Sequence, residues 1–242
     1  QAWAPGGELE SAISDAERAL RIAQKFEDPE TLAHALDRLG YAHSYLGDWN
    51  RALEFHERSV AASPNEALRI RSQSGMVIAE IRLGRIQQAT EHAGWTLQSA
   101  RDLGDPDLIV RALGALAELA WMNHEPDEAT RYWTEALEIL RETNDLPRMR
   151  VMMSNLSMVW IFKQDYAKAY RYANESLEIA RELGEPGGVM SLLQRLARLK
   201  KIQGHFDEAL ALQEEQLRLA REIGAKEHIA SSLHNMGCYI LD

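Results

Sequence analysis

The sequence predicts an all-α protein, an α-solenoid of about six antiparallel helix pairs, and three observations predict it. First, an alanine recurs with an aliphatic residue eight positions on: Ala12/Leu20, Ala52/Val60, Ala89/Leu97, Ala129/Leu137, Ala169/Leu177 and Ala209/Leu217. These alanines stand 40, 37, 40, 40 and 40 residues apart. A register held along a whole chain marks a repeat array, in which one unit buries its apolar face only against its neighbours. Second, Ala, Leu, Glu and Arg abound while Val occurs only six times in 242 residues, so helix formers outweigh strand formers. Third, all seven prolines fall at or within a residue or two of the breaks between periodic segments. Inside a long helix each would cost about 3 kcal/mol.

Each copy reads as a first helix, a short turn and a second helix. A partial copy spans 1–29, with Gln1–Gly6 as the tail of a first helix and Ala12 on the second. Copy 30–65 places Leu39 on its first helix, turns at Gly47-Asp48-Trp49 and stops at Pro64. Copy 66–105 carries Met76, turns at Gly84-Arg85-Ile86 and ends at Gly104-Asp105-Pro106. Copy 106–145 carries Leu116 and turns at Glu125-Pro126-Asp127. Copy 146–185 carries Leu156, turns at Gln164-Asp165-Tyr166 and ends at Gly184. Copy 186–225 carries Leu196, turns at Gly204-His205-Phe206 and ends at Gly224. The last, 226–242, holds Met236 on a first helix only. A glycine just past a helix supplies its left-handed cap. The anchor alanines let helix axes approach to about 8–10 Å. The Leu or Met 13 residues earlier fills the space between.

Composition narrows the function. The net charge of −10 opposes broad binding to a phosphate backbone, so no direct nucleic-acid partner is expected. The most apolar stretch, Leu108–Met122, contains Arg111 and Glu118, which predicts no membrane span. A single cysteine, Cys238, excludes an intrachain disulfide and a cysteine zinc site, and points to a reducing cytoplasm. No phosphate loop, dinucleotide fingerprint, nucleophile elbow or zinc-protease motif occurs. The expectation is no catalytic residue, no metal and no cofactor. The histidines show no ligand spacing on one helical face, and His34 and His43 read as surface or inter-helix residues. The sequons at Asn155 and Asn174 fall inside predicted helices and read as accidental.

Leu39-Gly40, Gly47-Asp48-Trp49, Ala52 and Pro64, with Trp133 and Trp160 at large-aromatic positions, resemble the tetratricopeptide repeat. The 40-residue period is similar to the long-helix variant of Pins-type adaptors and MalT-like ATPase regulators. Ala117, Val77 and Ser157 depart from the motif's small glycine, and His43 and Glu80 from its aromatic. The resemblance implies a right-handed superhelix whose concave groove binds a protein or peptide segment, or another domain of the same chain. An ATPase-type transcription regulator with a small-molecule-sensing repeat domain is the alternative.

By the same resemblance, groove residues lie on the first helices at fixed offsets from the recurring Leu or Met. The set expected to bind is Arg71, Arg82, Arg111, Trp121, Met122, Asn155, Met158, Phe162, Gln194, Arg195, Arg198 and Asn235. Ile78, Ile81 and Ile161 extend its apolar middle, and Lys201 its basic flank. Apolar anchors between basic residues suit an acidic amphipathic segment. An asparagine amide suits a peptide main chain, since it donates and accepts. The competing reading makes the apolar set inner-layer core. Both termini interrupt repeats, so the chain is expected to be a piece of a longer protein that self-associates through its open ends.

Overall fold

The structure, a computed structural model, describes the backbone of residues 5–241 and the side chains of residues 10–237. Among the described residues there are twelve helices and no strand. They are α1 (Pro5–Phe26), α2 (Pro29–Tyr45), α3 (Trp49–Ala62), α4 (Glu66–Arg82), α5 (Ile86–Leu103) and α6 (Pro106–Met122). Then follow α7 (Pro126–Thr143), α8 (Leu146–Phe162), α9 (Tyr166–Glu182), α10 (Pro186–Ile202), α11 (Phe206–Glu222) and α12 (Lys226–Leu241). This is the all-α solenoid of six antiparallel pairs expected from the repeat.

One boundary differs. Helix α1 starts at Pro5, so Gly6 lies within α1 and not in the tail of a preceding helix. Residues Gln1–Ala4 lie outside the described residues.

The turns explain why the helices stop. Among the described residues ten adopt positive φ: Gly47, Gly84, Gly104, Gly184, Gly204 and Gly224, and also Glu27, His124, Asn144 and Gln164. The repeat imposes the left-handed cap even where the sequence offers no glycine. Restart is local too. The Asp28, Asp48, Asn65, Asp105, Asp145 and Asp165 side chains accept backbone N–H bonds at the next helix start. The 37-residue step has its cause in α3, which has 14 residues and stops before Ser63-Pro64, where α5, α7, α9 and α11 run to 17 or 18.

The chain forms two compact units, residues 5–136 and 137–241. In the first, α1 to α6 pack in chain order, and α2 touches α4 as α4 touches α6. In the second, α8 to α12 pack in chain order, and α10 touches α12. The anchors Ala52, Ala89, Ala129, Ala169 and Ala209 are all fully buried. Trp133 is core, as expected from its position. Trp95 is 41% exposed on α5.

The second helices are tied by a charge ladder with the repeat's period. Arg101 meets Glu135 at 2.5 Å in the first unit, and Arg181 meets Glu215 at 2.7 Å in the second. Arg141 lies 4.0 Å from Glu175. Such exposed pairs contribute well under about 1 kcal/mol each, so they set register more than stability.

Candidate functional site

The expected groove residues divide between the two units. Arg71, Arg82, Arg111, Trp121 and Met122 lie on α4 and α6. Asn155, Met158, Phe162, Gln194, Arg195, Arg198 and Asn235 lie on α8, α10 and α12.

In the first unit the basic residues are engaged by acids of the same chain. Arg71 Nε stands 3.0 Å from Asp37 Oδ2, and Asp37 is almost wholly buried. Asp37 Oδ1 also accepts from Ser72 Oγ at 3.0 Å and lies 3.5 Å from His56 Nδ1. Arg111 Nε donates to Asp107 Oδ2 at 2.8 Å, and its Nη1 donates to Tyr41 Oη at 3.2 Å. Tyr41 Oη in turn donates to the Arg71 carbonyl at 3.4 Å. Burial pushes the Tyr41 phenol above its ordinary value, and Asp37 adds to that shift. Arg82 donates to Glu118 Oε1 at 2.5 Å and sits over the Trp49 ring. The basic flank expected on this side is therefore internally neutralised.

Arg82 and Glu118 carry a pH signature. Burial raises the Glu118 carboxyl above its ordinary 4.5, with Arg82 opposing the shift. A raised folded-state pKa makes ionisation a cost to folding, absent below the ordinary value and growing as the pH climbs through the raised one. The melting-temperature difference between Glu118→Gln and the parent should therefore shrink as the pH falls from about 7 to about 4.5. A difference that widens toward acid would contradict the burial assignment.

Parts of the apolar middle are core. Ile81 is buried with Val77, Ala89, Ala93, Ala115 and Leu119, and Ile78 packs on the same cluster. Ile161 packs against a second cluster built on α9 and α10. By contrast, the last residues of α2, α4, α6, α8 and α10 are exposed: Tyr45, Arg82, Met122 (48% exposed), Phe162 (59%) and Ile202. Trp121 and Met158 are half-buried.

The second unit differs in charge. Arg195 is half-buried and donates to the Ser154 carbonyl and, at 2.9 Å, to Ser154 Oγ. No carboxylate partners it among the described residues. Burial lowers its pKa from the ordinary guanidinium value, which marks a cation lacking a counter-charge. Asn155, next along α8 from Ser154, makes no side-chain hydrogen bond among the described residues. Gln194 donates to Ser231 Oγ at 3.2 Å. Arg198 is exposed and Asn235 half-buried, neither with an ion pair or hydrogen bond among the described residues.

The first unit also holds a cavity of about 750 Å3 that includes residues outside the binding set. Ala12, Asp15, Ala16 and Ala19 of α1 and Arg38, Tyr41 and Tyr45 of α2 line it, together with Arg71 and Arg111. The α1 residues were not legible as lining, because they sit on a second helix and the resemblance places groove residues only on first helices. No group of three metal-ligating side chains occurs among the described residues, and no described helix is long and apolar enough to cross a membrane.

The tetratricopeptide repeat profile matches residues 6–65 and 148–222, more than half of the chain. The chain belongs to the tetratricopeptide repeat family. A profile of anaphase-promoting complex subunit 5 matches residues 110–164 of this tetratricopeptide repeat chain. No curated protein matches it in sequence. Several solved structures share the fold. BtubC (BKLC) from P. vanneervenii superposes with a TM-score of 0.74 at 20% identity, covering 89% of this chain and 92% of that one. A Signal Transduction ATPase with Numerous Domains with a tetratricopeptide repeat sensor, from Pyrococcus horikoshii, gives 0.78 at 15% identity. That match covers 91% of this chain and 34% of the ATPase. A Rap protein complexed with Competence and Sporulation Factor gives 0.71 at 14% identity, covering 97% of this chain and 71% of that one.

Proposed function

We propose that this tetratricopeptide repeat domain is a non-catalytic module that captures a protein or peptide segment, with the second unit reading an acidic group. The observation that carries the reading is Arg195. It is a half-buried cation with no carboxylate among the described residues, fixed by Ser154 beside the unengaged Asn155 amide. Burial strips water from the guanidinium, and a charge-assisted hydrogen bond from a partner carboxylate is worth about 1.5–3 kcal/mol there. Asn155 can hold a partner's main chain through one donor and one acceptor. Phe162, exposed at the end of α8, supplies apolar anchorage. Arg198 supplies a second positive charge one helical turn from Arg195.

The partner class is an acidic amphipathic segment, either from another protein or from another domain of the same chain. The Rap structure holds Competence and Sporulation Factor, and a similar use of the shared fold supports this reading here. The test uses displayed acidic amphipathic peptides, with the selected binders measured by calorimetry. Asn155→Ala, Arg195→Ala and Phe162→Ala together should abolish binding while leaving helicity intact. Unaltered affinity in the triple variant would sink the site.

A second reading, small-molecule sensing as in an ATPase-type regulator, draws on the first unit's cavity. Its volume falls inside the 300–1,000 Å3 range of ligand pockets. A metabolite that fills it would raise the melting temperature with a saturating dose dependence. A peptide-capture domain would answer to peptide alone.

A further inference from the structure

One rung of the charge ladder is missing from the first unit, and an exposed indole stands in its place. Each rung joins an arginine twelve residues after one anchor alanine to a glutamate six residues after the next: Arg101 to Glu135, Arg141 to Glu175 and Arg181 to Glu215. Between α3 and α5 both partners are changed. Pro64 holds the arginine position and Trp95 the glutamate position. Trp95 is exposed, and no arginine or lysine stands over its ring among the described residues.

The charge beside it is reversed as well. Glu91 and Asp102, both exposed, lie one turn before and three turns after Trp95 on α5. At i, i+4 and i+11 the three share one helical stripe. In α7 and α9 the place of Glu91 belongs to Arg131 and Arg171. Glu91 accepts from Gln87 Nε2 at 3.4 Å, and Asp102 accepts from Gln98 Nε2 at 2.8 Å. Neither carboxylate meets a cation among the described residues. The arginines of the flanking second helices are engaged elsewhere. Arg58 of α3 is held by Glu54 at 3.3 Å, Arg101 of α5 by Glu135, and Arg131 of α7 by Glu128.

We infer that the outward face of α5 docks a basic, extended segment of another protein. One arginine or lysine of that segment stacks on Trp95, and its neighbours pair with Glu91 and Asp102. An indole face carries partial negative charge and attracts a cation placed above it. An exposed tryptophan is also the residue type that anchors binding surfaces. The same two carboxylates repel phosphate backbones and anionic lipid, so the partner is a polypeptide.

The stripe also sets a spacing. Along α5, Trp95 lies about 6 Å from Glu91 and about 10.5 Å from Asp102, at about 1.5 Å per residue. An extended chain advances about 3.3 Å per residue and turns alternate side chains to one face. Cations at its first, third and seventh positions therefore match, and the length of the arginine side chain absorbs the remainder. Three exposed pairs make a weak, salt-sensitive contact. This inference stands apart from capture at Arg195. It concerns a second helix, takes a partner of opposite charge, and uses none of Asn155, Arg195 and Phe162.

The test is a nuclear magnetic resonance titration of the 242-residue chain with acetyl-Arg-Ala-Arg-Ala-Ala-Ala-Arg-amide. The Trp95 indole N–H resonance, assigned through Trp95→Phe, should shift and saturate. Affinity, read from the amide resonances of α5, should fall about fivefold or more between about 20 mM and about 300 mM salt. Trp95→Ala should weaken binding about fivefold at low salt. Glu91→Gln with Asp102→Asn, two exposed changes that leave helicity intact, should weaken it as much and remove most of the salt dependence. The matching peptide with glutamate in place of arginine should not move the indole resonance, and Arg195→Ala should leave binding of the arginine peptide unchanged. An unmoved Trp95 resonance or binding that survives both sets of variants would overturn the proposal. So would a mass that grows with concentration in the parent and not in Trp95→Ala, since a second copy would then occupy this face.

Discussion

Gly75→Ala should destabilise the first unit by about 3 kcal/mol, although a glycine-to-alanine change inside a helix ordinarily gains about 1 kcal/mol. The sign reverses because of His56. A Cβ on Gly75 would lie 2.4 Å from His56 Cε1 and 2.5 Å from Nε2. The ring cannot swing away. It is fully buried, and a Cβ on Gly40 of α2 would meet its other side at 2.6 Å. Tyr41 stands edge-on to it with centroids 5.0 Å apart. Neither ring nitrogen makes a hydrogen bond in return for its burial, so His56 acts chiefly as a wedge between α2 and α4.

The next copy builds the same layer differently. Val77, Ala93 and Ala115 stand at the positions of Gly40, His56 and Gly75, and all three are buried in one cluster. One large residue between two glycines is exchanged for one small residue between larger neighbours, and volume is kept. The penalty of Gly75→Ala should therefore vanish or reverse in a His56→Ala background. Chemical denaturation of the four proteins of this cycle measures the coupling. A full penalty without His56 would place the strain elsewhere.

This layer shows where the sequence is readable and where it is not. Helix existence and order follow from the 40-residue recurrence, the prolines and the capping residues, because each is a local demand of the backbone. Even the short α3 is visible as the 37-residue step between Ala52 and Ala89. Side-chain fate is different. Ile81 is expected in the groove by resemblance, yet it is turned into core, and Gly75, beside the recurring Met76, is turned onto His56. A fixed offset assumes a fixed crossing angle between helices, and the size of the residue at the contact changes that angle. One signal was present for Gly75: a histidine stands where Ala93 and Ala173 stand in other copies, with a glycine on each facing helix. The ion pairs were not legible, since Asp37 and Arg71, or Arg82 and Glu118, come from different first helices, where spacing says nothing about reach.

Those ion pairs separate two kinds of arginine, and the second large effect follows from them. Arg71→Ala should cost about 3 kcal/mol of stability, because it leaves a buried carboxylate without its cation. Asp37 is nearly inaccessible, and the Ser72 hydroxyl at 3.0 Å gives it a neutral hydrogen bond but no counter-charge. Arg195→Ala should cost about 1 kcal/mol or less, since the Ser154 hydroxyl and carbonyl are neutral acceptors that lose one donor. Binding of an acidic segment should show the opposite order. Arg195→Ala should weaken it at least tenfold, while Arg71→Ala should leave it unchanged wherever the variant is folded. Thermal melts paired with calorimetric titration of one selected peptide read both quantities on the same samples. The reverse ranking, with Arg71 governing affinity and Arg195 governing stability, would mean that the first unit releases its arginines to a partner and that acid recognition lies there instead.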